Sequence, residues 1–260
     1  MTFILPTDFS ATATNAAIYA TKMLQGIYDA RLLLYHAYGN SMYGTSVQKS
    51  LNLLKDRLMD VAPIKIEYYY EQTGDFIGSL EQLARRQQAQ AIIMGINGRT
   101  KLEQKLMDSN SLEVVERKIC PVIIVPPNAT FSPVKNVALA CEFKNVVTTV
   151  PTEQLKSVLE LFHPKLHIVN VDSEQYITIT EDVLVQRNTL LEMFQDFNPE
   201  FHFITTYNFT ETITQFVKDY AIDILITIPR RHSFFAQVFK TRNTKKLAFE
   251  SPIPILAAHE

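Results

Sequence analysis

Two glycines and a short polar segment in the first half of the chain have the types and spacing needed to bind an anion. Gly95 and Gly98 follow an apolar run, and after nine further residues the segment Asp108-Ser109-Asn110-Ser111 precedes a helix-like pattern. Glycine turns tightly and lets a ligand approach the main chain, and free backbone N–H groups at a helix start attract phosphate. This spacing predicts a phosphate-binding loop between a strand and a helix.

The predicted loop belongs to a segment that occurs twice. Residues 91–98 (AIIMGING) and 120–125 (CPVIIV) are matched, at nearly the same separation, by residues 223–230 (DILITIPR) and 251–256 (SPIPIL). Such self-similarity indicates a duplicated domain. We therefore predict two domains, at residues 1–130 and 131–260, joined at a proline-bracketed linker.

The two halves differ in their glycines, because all seven lie between residues 26 and 98. In the second half, Thr227 and Arg230 replace the two glycines of the repeated segment, and Glu142 stands where the first half has Asp8. A nucleotide, if one binds, is expected in the first half only.

Composition excludes several classes of protein. The net charge of −2 provides no basic field for nucleic acid and no polybasic membrane anchor. Two cysteines make neither a disulfide framework nor a zinc pattern, and no uncharged run is long enough for a membrane span. The chain enters a strand at once, which leaves no room for a signal peptide, so we expect a cytoplasmic protein.

Apolar runs of strand length alternate with segments of helical periodicity along both halves. This alternation predicts an α/β fold with parallel sheets. In such sheets ligands bind beyond the carboxyl ends of the strands, where the strand order reverses. The candidate binding residues at those ends are Thr7, Asp8, Met94, Gly95, Gly98, Ser109, Asn110 and Ser111.

Together these motifs resemble the universal stress protein family in its tandem form. The family pattern is Gly-x2-Gly-x9-Gly-(Ser/Thr), a helix and a Cys-Pro-Val-type final strand, and residues 4–10 (ILPTDFS) and 32–36 (LLLYH) match its first two strands. The resemblance implies two open parallel five-stranded sheets of order 3-2-1-4-5, flanked by helices, as in adenine-nucleotide alpha-hydrolases. It covers the first half well and the second half more faintly.

The resemblance also implies roles for individual residues. Where members of the family bind ATP, the Asp after the first strand meets the nucleoside, and the glycines and Ser/Thr hold the phosphates. These roles fall on Asp8, Gly95, Gly98 and Ser109. The expected cofactor is ATP with Mg²⁺ or Mn²⁺ in the first half, or none, because Asp108 replaces the third family glycine and repels a triphosphate unless it holds a metal.

No residues stand at a recognisable spacing for covalent catalysis or for metal ligation, and we predict neither. His36 and Cys120 are interpreted as packing residues, and His163, His167, His202 and His259 form no ligand spacing. The basic stretch from Arg230 to Lys246 is interpreted as a solvated face, as an anion or partner surface, or as an intramolecular clamp onto the acidic half.

The leading hypothesis is a non-catalytic stress-response or signalling protein. The alternatives are an adenine-nucleotide hydrolase on the same fold and a nucleotide-free interaction scaffold. The resemblance implies pairing of the two domains through their final strands, a homo-oligomer, and protein partners of unknown identity. Neither nucleic acid nor membrane is expected as a partner.

Overall fold

A computed structural model describes residues 1–39, 44–96, 110–111, 113–172, 180–205, 209–228 and 253–259. The chain divides into two compact units, Met1–Phe131 and Ser132–Glu260. Within each unit strands and helices alternate and every strand pair is parallel, as the apolar runs predict.

The first unit is built on a five-stranded sheet of order β3-β2-β1-β4-β5. This is the predicted order 3-2-1-4-5, and the reversal falls between β1 and β4. The elements are β1 Thr2–Pro6, α1 Ala11–Leu24, β2 Arg31–Tyr38, α2 Gly44–Val61, β3 Lys65–Gln72, α3 Phe76–Arg86, β4 Ala89–Gly95 and β5 Val122–Val125, with helical residues at 110–111 and 113–116.

Helix α1 packs tightly on this sheet because its inner face is made of small residues. Ala16, Ala17 and Ala20 are fully buried, so the helix backbone comes close to the strands. Serine is a favoured N-cap residue, so the sequence predicts a cap at Ser10, and its side chain accepts a hydrogen bond from the Ala13 N–H. This close packing determines which residues are tolerated at the end of β4.

The second unit repeats the order, with β10-β9-β6-β7-β8. The sequence predicts a helix near residues 244–249, which lie outside the described residues, and it predicts none at Val146–Thr149, where the structure has a short helix. The elements are β6 Asn136–Ala140, helices Val146–Thr149 and Thr152–Leu159, β7 Lys165–Asp172, helix Glu181–Met193, a 3-10 turn Gln195–Phe197, β8 Glu200–Thr205, helix Phe209–Asp219, β9 Ile224–Thr227 and β10 Ile255–Ala257.

Tyr35 on β2 connects the core of the first unit, through a hydrogen bond, to a carboxylate on the neighbouring strand. Its side chain is buried, and its hydroxyl donates a 3.0 Å hydrogen bond to Oε1 of Glu71. Burial, followed by the bond to Glu71, raises the pKa of Tyr35 well above its ordinary value.

This shift predicts alkaline destabilisation. Because the pKa of Tyr35 is higher in the folded than in the unfolded protein, the protonated hydroxyl stabilises the fold, and this contribution is complete below the ordinary pKa of about 10. The contribution is lost as the pH rises from that value through the folded-state pKa. Wild-type protein should therefore lose more stability than Tyr35→Phe between about pH 8 and about pH 11, as measured by urea unfolding followed by circular dichroism. Tyr28→Phe, at a side chain that is 94% exposed, is the control and should behave as wild type. An equal loss in wild type and Tyr35→Phe would contradict this assignment.

Candidate functional site

A pocket of about 280 Å³ opens at the carboxyl ends of β1, β2, β3 and β4, where the strand order of the first unit reverses. This is the position that the topology predicts for a ligand. Its lining combines apolar side chains with hydroxyl, amide, imidazole and carboxylate groups. The lining residues that enter the argument are Thr7, Asp8, His36, Ala37, Phe76, Met94, Gly95, Asn110 and Ser111.

The turn after β1 is held by hydrogen bonds within its own sequence. The Thr7 N–H donates to the Tyr35 carbonyl at 2.8 Å, and the Phe9 N–H donates to the Thr7 hydroxyl at 3.0 Å. Phe9 adopts a left-handed conformation with φ of 64°. Thr7 therefore shapes the turn with both its backbone and its side chain, and it presents its carbonyl to the pocket wall.

Asp8 combines a bracing role with an exposed carboxylate at the pocket. Its Oδ1 accepts a 3.0 Å hydrogen bond from the Ser10 N–H, which fixes the side chain beside the start of α1. Among the described residues no hydrogen bond to its Oδ2 occurs. The carboxylate is thus oriented by the turn and retains an oxygen with which to accept a hydrogen bond from a ligand.

His36 forms part of the pocket wall, which its interpretation as a packing residue did not anticipate. Its Nδ1 lies 2.7 Å from the Thr7 carbonyl oxygen, and because a carbonyl only accepts, Nδ1 carries the proton. The ring packs against Phe9 with a centroid separation of 4.7 Å. These contacts fix the ring and leave Nε2 as its second polar atom.

Gly95 ends β4 where the sheet meets the first turn of α1. A Cβ atom at this position would lie 2.7 Å from the backbone oxygen of Thr12 and 2.9 Å from its Cγ2. Glycine is therefore required here by close packing, whereas the sequence-based interpretation was a turn or a phosphate loop. The two requirements are compatible, since the same close approach places the end of β4 at the pocket.

Six of the eight predicted binding residues meet at this pocket. Thr7, Asp8, Met94, Gly95, Asn110 and Ser111 all line it, and Ser111 is buried. Gly98 and Ser109, together with Asp108, lie outside the described residues, as does the basic segment of residues 230–246. The lining residues at the ends of β2 and β3 belong to no sequence motif. They could have been identified from the rule that ligands bind beyond the carboxyl ends of parallel strands.

The second unit reproduces the bracing of the β1 turn with different residues. The Cys141 N–H donates to the Val169 carbonyl at 3.0 Å, and Asn170 donates to the Cys141 carbonyl at 3.2 Å, in the positions of Thr7, Tyr35 and His36. Phe143 has φ of 51°, as Phe9 has 64°. The duplication thus extends to the hydrogen bonds of the turn, and Glu142 is the counterpart of Asp8.

Phe143 differs from its counterpart Phe9 in being fully buried. Its ring packs edge-on against Phe201 and Phe203, at centroid separations of 6.0 and 5.3 Å. In the first unit the equivalent phenylalanine packs on the imidazole of His36 at the pocket wall. The turn of the second unit therefore directs an aromatic side chain into the core.

The hydrogen bonds between strands correct the alignment of the two halves. The Ile92 N–H donates to the Pro121 carbonyl, and the Leu225 N–H donates to the Pro254 carbonyl. Pro254 is therefore the counterpart of Pro121, and the predicted match of Pro252 with Pro121 is wrong. The same register makes Ile228, instead of Thr227, the counterpart of Gly95. Ile228 is buried, so this position in the second unit is filled by a large apolar side chain.

The two thiols are buried, as predicted for Cys120. Burial raises the pKa of Cys120 to about 12, so its thiol is protonated at neutral pH. Cys141 belongs to the turn after β6 and is likewise buried.

Two histidines that show no ligand spacing in the sequence are brought together in the second unit. Nδ1 of His167 lies 3.1 Å from Nε2 of His202 and 3.7 Å from Oε2 of Glu200. Burial, followed by the neighbouring His202, lowers the pKa of His167 to about 4, and burial also lowers the pKa of His202. The signal in the sequence was the alternation Glu-Phe-His at residues 200–202, which places two ligating side chains on one face of a strand.

Each unit is thus an open, parallel, doubly wound α/β domain, and the first has a pocket at its switch point. Comparison with known proteins agrees with this class. A model of the universal stress protein family matches residues 1–126. Residues 1–126 therefore form a universal stress protein domain.

Solved structures share the fold over the whole chain. A universal stress protein from Archaeoglobus fulgidus has a TM-score of 0.70 and 18% identity, covering 100% of this chain and 96% of its own. A Pseudomonas aeruginosa protein described as functionally unknown has a TM-score of 0.63 and 10% identity, covering 99% and 92%. A universal stress protein in complex with cAMP aligns with 49% of this chain and 97% of its own, at 23% identity and a TM-score of 0.42.

The first two structures share the tandem fold with this chain, and the TM-score of the third is too low to support an argument about this chain. No curated protein sequence matches the chain. None of the helices that the structure describes has the length and apolar character required to cross a bilayer.

Proposed function

We propose that this chain is a non-catalytic, cytoplasmic stress-response protein that binds one adenine nucleotide, with ATP as the expected ligand, in its first unit. The single observation that carries the proposal is the convergence of the predicted binding residues on a pocket at the switch point of a universal stress protein domain. Binding would couple nucleotide level to contacts with protein partners.

The pocket has the size and polarity to hold a nucleoside. Its volume of about 280 Å³ lies near the lower end of the range for ligand sites. Ala37 and Phe76 offer apolar contact on the side of β2 and β3. Asp8 is an acceptor when ionised, so its exposed oxygen suits the hydroxyl groups of a ribose better than an anionic phosphate.

The phosphates would extend from the nucleoside toward the end of β4. Gly95 keeps that strand end free of a side chain, and Asn110 and Ser111 also line the pocket. The family resemblance assigns phosphate contacts to Gly98 and Ser109. Asp108 is proposed to weaken these contacts unless Mg²⁺ or Mn²⁺ accompanies the nucleotide.

The described pocket favours binding without hydrolysis. Hydrolysis of a nucleotide requires a group that positions water and acidic ligands for a metal ion. Asp8 is the one carboxylate among the described lining residues, and the Ser10 N–H already occupies one of its oxygens. We therefore propose a binding site without a catalytic base.

The second unit is proposed to bind no nucleotide. Ile228 occupies the position of Gly95, and Phe143 fills the core beside the turn. Its retained turn and apolar strands give it a structural role, and the family resemblance adds the proposal of a homo-oligomer.

Mass spectrometry of the native full-length protein, before and after denaturation, tests the proposal. A nucleotide retained at one per chain is expected, and incubation with ATP and Mg²⁺ or Mn²⁺ should release no phosphate. Steady phosphate release would favour the hydrolase, whereas an absence of nucleotide binding would favour the scaffold.

A further inference from the structure

Two histidines and a glutamate converge on one face of the second-unit sheet, far in sequence from the nucleotide pocket. The ligand atoms of His167, Glu200 and His202 all lie within 4.8 Å of one another. We propose that these three side chains form a binding site for a divalent transition metal of the Zn²⁺ type. The proposal concerns the second unit alone and does not depend on nucleotide binding in the first.

Strand register explains why the three residues meet. His167 on β7 pairs with Glu200 on β8 in the parallel ladder. Residues two apart on a strand point to the same face, so His202 follows Glu200 on the face that carries His167. Strand pairing therefore brings the three residues together, although His167 and Glu200 are 33 residues apart in the sequence. No local motif contains all three.

Two of the three separations between ligand atoms are close to the edges of a tetrahedral site. Zn–N bonds of about 2.0–2.1 Å place two ligand atoms about 3.3 Å apart at tetrahedral angles. The observed separations are 3.1 Å between the two imidazole nitrogens and 3.7 Å between His167 and the carboxylate.

Burial and access are both appropriate for an ion. His167 is 2% exposed, whereas the side chain of Glu200 is 44% exposed. His202 lines an open groove of about 700 Å³ between β8 and the helix Phe209–Asp219. An ion can enter from this groove, and water can complete the coordination as in other three-ligand zinc sites.

Aromatic side chains surround the histidines and hold their rings. Phe216 and Tyr220 pack on His202 with centroid separations of 5.0 and 4.6 Å. The two imidazole ligands favour Zn²⁺ over Mg²⁺, because imidazole suits transition metals and Mg²⁺ requires oxygen ligands. Nε2 of His167 has no hydrogen-bond partner among the described residues, so we expect a site about 10–100-fold weaker than one with a complete outer shell.

Lys165 competes with an ion for the carboxylate. Its Nζ forms a salt bridge with Oε2 of Glu200, and both side chains are about half exposed. The ammonium group opposes a cation at the same oxygen. Removal of Lys165 should therefore strengthen metal binding, which distinguishes a metal site from a hydrogen-bonded histidine pair.

Titration of the full-length, metal-free protein with Zn²⁺ in competition with a chromophoric chelator tests the proposal. One site is expected, and His202→Ala should weaken it at least about tenfold, since loss of an outer-shell group alone costs that much. Glu200→Gln should also weaken binding, and Lys165→Ala should strengthen it. Co²⁺ bound to wild type should show visible absorption bands of tetrahedral coordination that His202→Ala lacks.

His163→Ala is the matched control, because His163 is exposed and lies outside the cluster. It should bind Zn²⁺ as wild type does, and Mg²⁺ should not displace Zn²⁺. Circular dichroism confirms the fold of each variant, and His202→Gln replaces His202→Ala if the latter fails to fold. Absence of Zn²⁺ binding, or equal affinity in wild type, Glu200→Gln and the folded His202 variant, would overturn the proposal.

Discussion

Replacement of Gly95 by alanine is expected to destabilise the first unit by about 1–3 kcal/mol, the usual effect of forcing an extra methyl group into a packed site. The new Cβ would lie 2.7 Å from the Thr12 backbone oxygen, and a backbone atom in a helix cannot move away as a flexible side chain would. The strand end or α1 must shift, and either shift would distort the pocket that both of them line. Nucleotide affinity should therefore fall together with stability.

The chain offers two matched controls for this substitution. Gly39 and Gly74 line the same pocket, but a Cβ at either position would meet no atom within 4 Å, and neither has a positive φ. Gly39→Ala and Gly74→Ala should leave stability unchanged within about 1 kcal/mol. Urea unfolding followed by tyrosine fluorescence measures the effect, because the chain has no tryptophan and most of its tyrosines are in the first unit. Equal stability of Gly95→Ala and the controls would refute the packing argument.

The main features of the fold were predictable because strands buried on both faces leave a strong signal. Residues 32–35 and 122–125 are continuous apolar runs, and their strands lie where those runs predict. The order 3-2-1-4-5 came from the resemblance and is confirmed in both units. The cap of α1 at Ser10 was also predictable, because capping depends on local sequence.

The details that were missed depend on contacts between strands. The true counterpart of Pro121 follows from hydrogen-bond register, and similar dipeptides at Pro252 and Pro254 do not reveal it. His167 and His202 meet only because β7 and β8 are paired in one register. Likewise, the requirement for glycine at residue 95 comes from Thr12, which is distant in sequence.

Asp8 and its counterpart Glu142 provide the sharpest comparison between the two units. Both carboxylates follow the first strand of their unit, but only Asp8 lines the pocket proposed to bind the nucleotide. Asp8→Ala should weaken binding of ATP about 10- to 150-fold, because hydrogen bonds to a charged group contribute about 1.5–3 kcal/mol. Glu142→Ala should change the affinity less than about twofold if the second unit binds no nucleotide.

Calorimetric titration of the full-length protein with ATP and Mg²⁺, carried out on wild type, Asp8→Ala and Glu142→Ala, tests the central claim most directly. Nucleotide binding in the first unit alone predicts one site per chain, a large loss of affinity in Asp8→Ala and wild-type affinity in Glu142→Ala. Two equivalent sites per chain, or a loss of affinity in Glu142→Ala with none in Asp8→Ala, would contradict it.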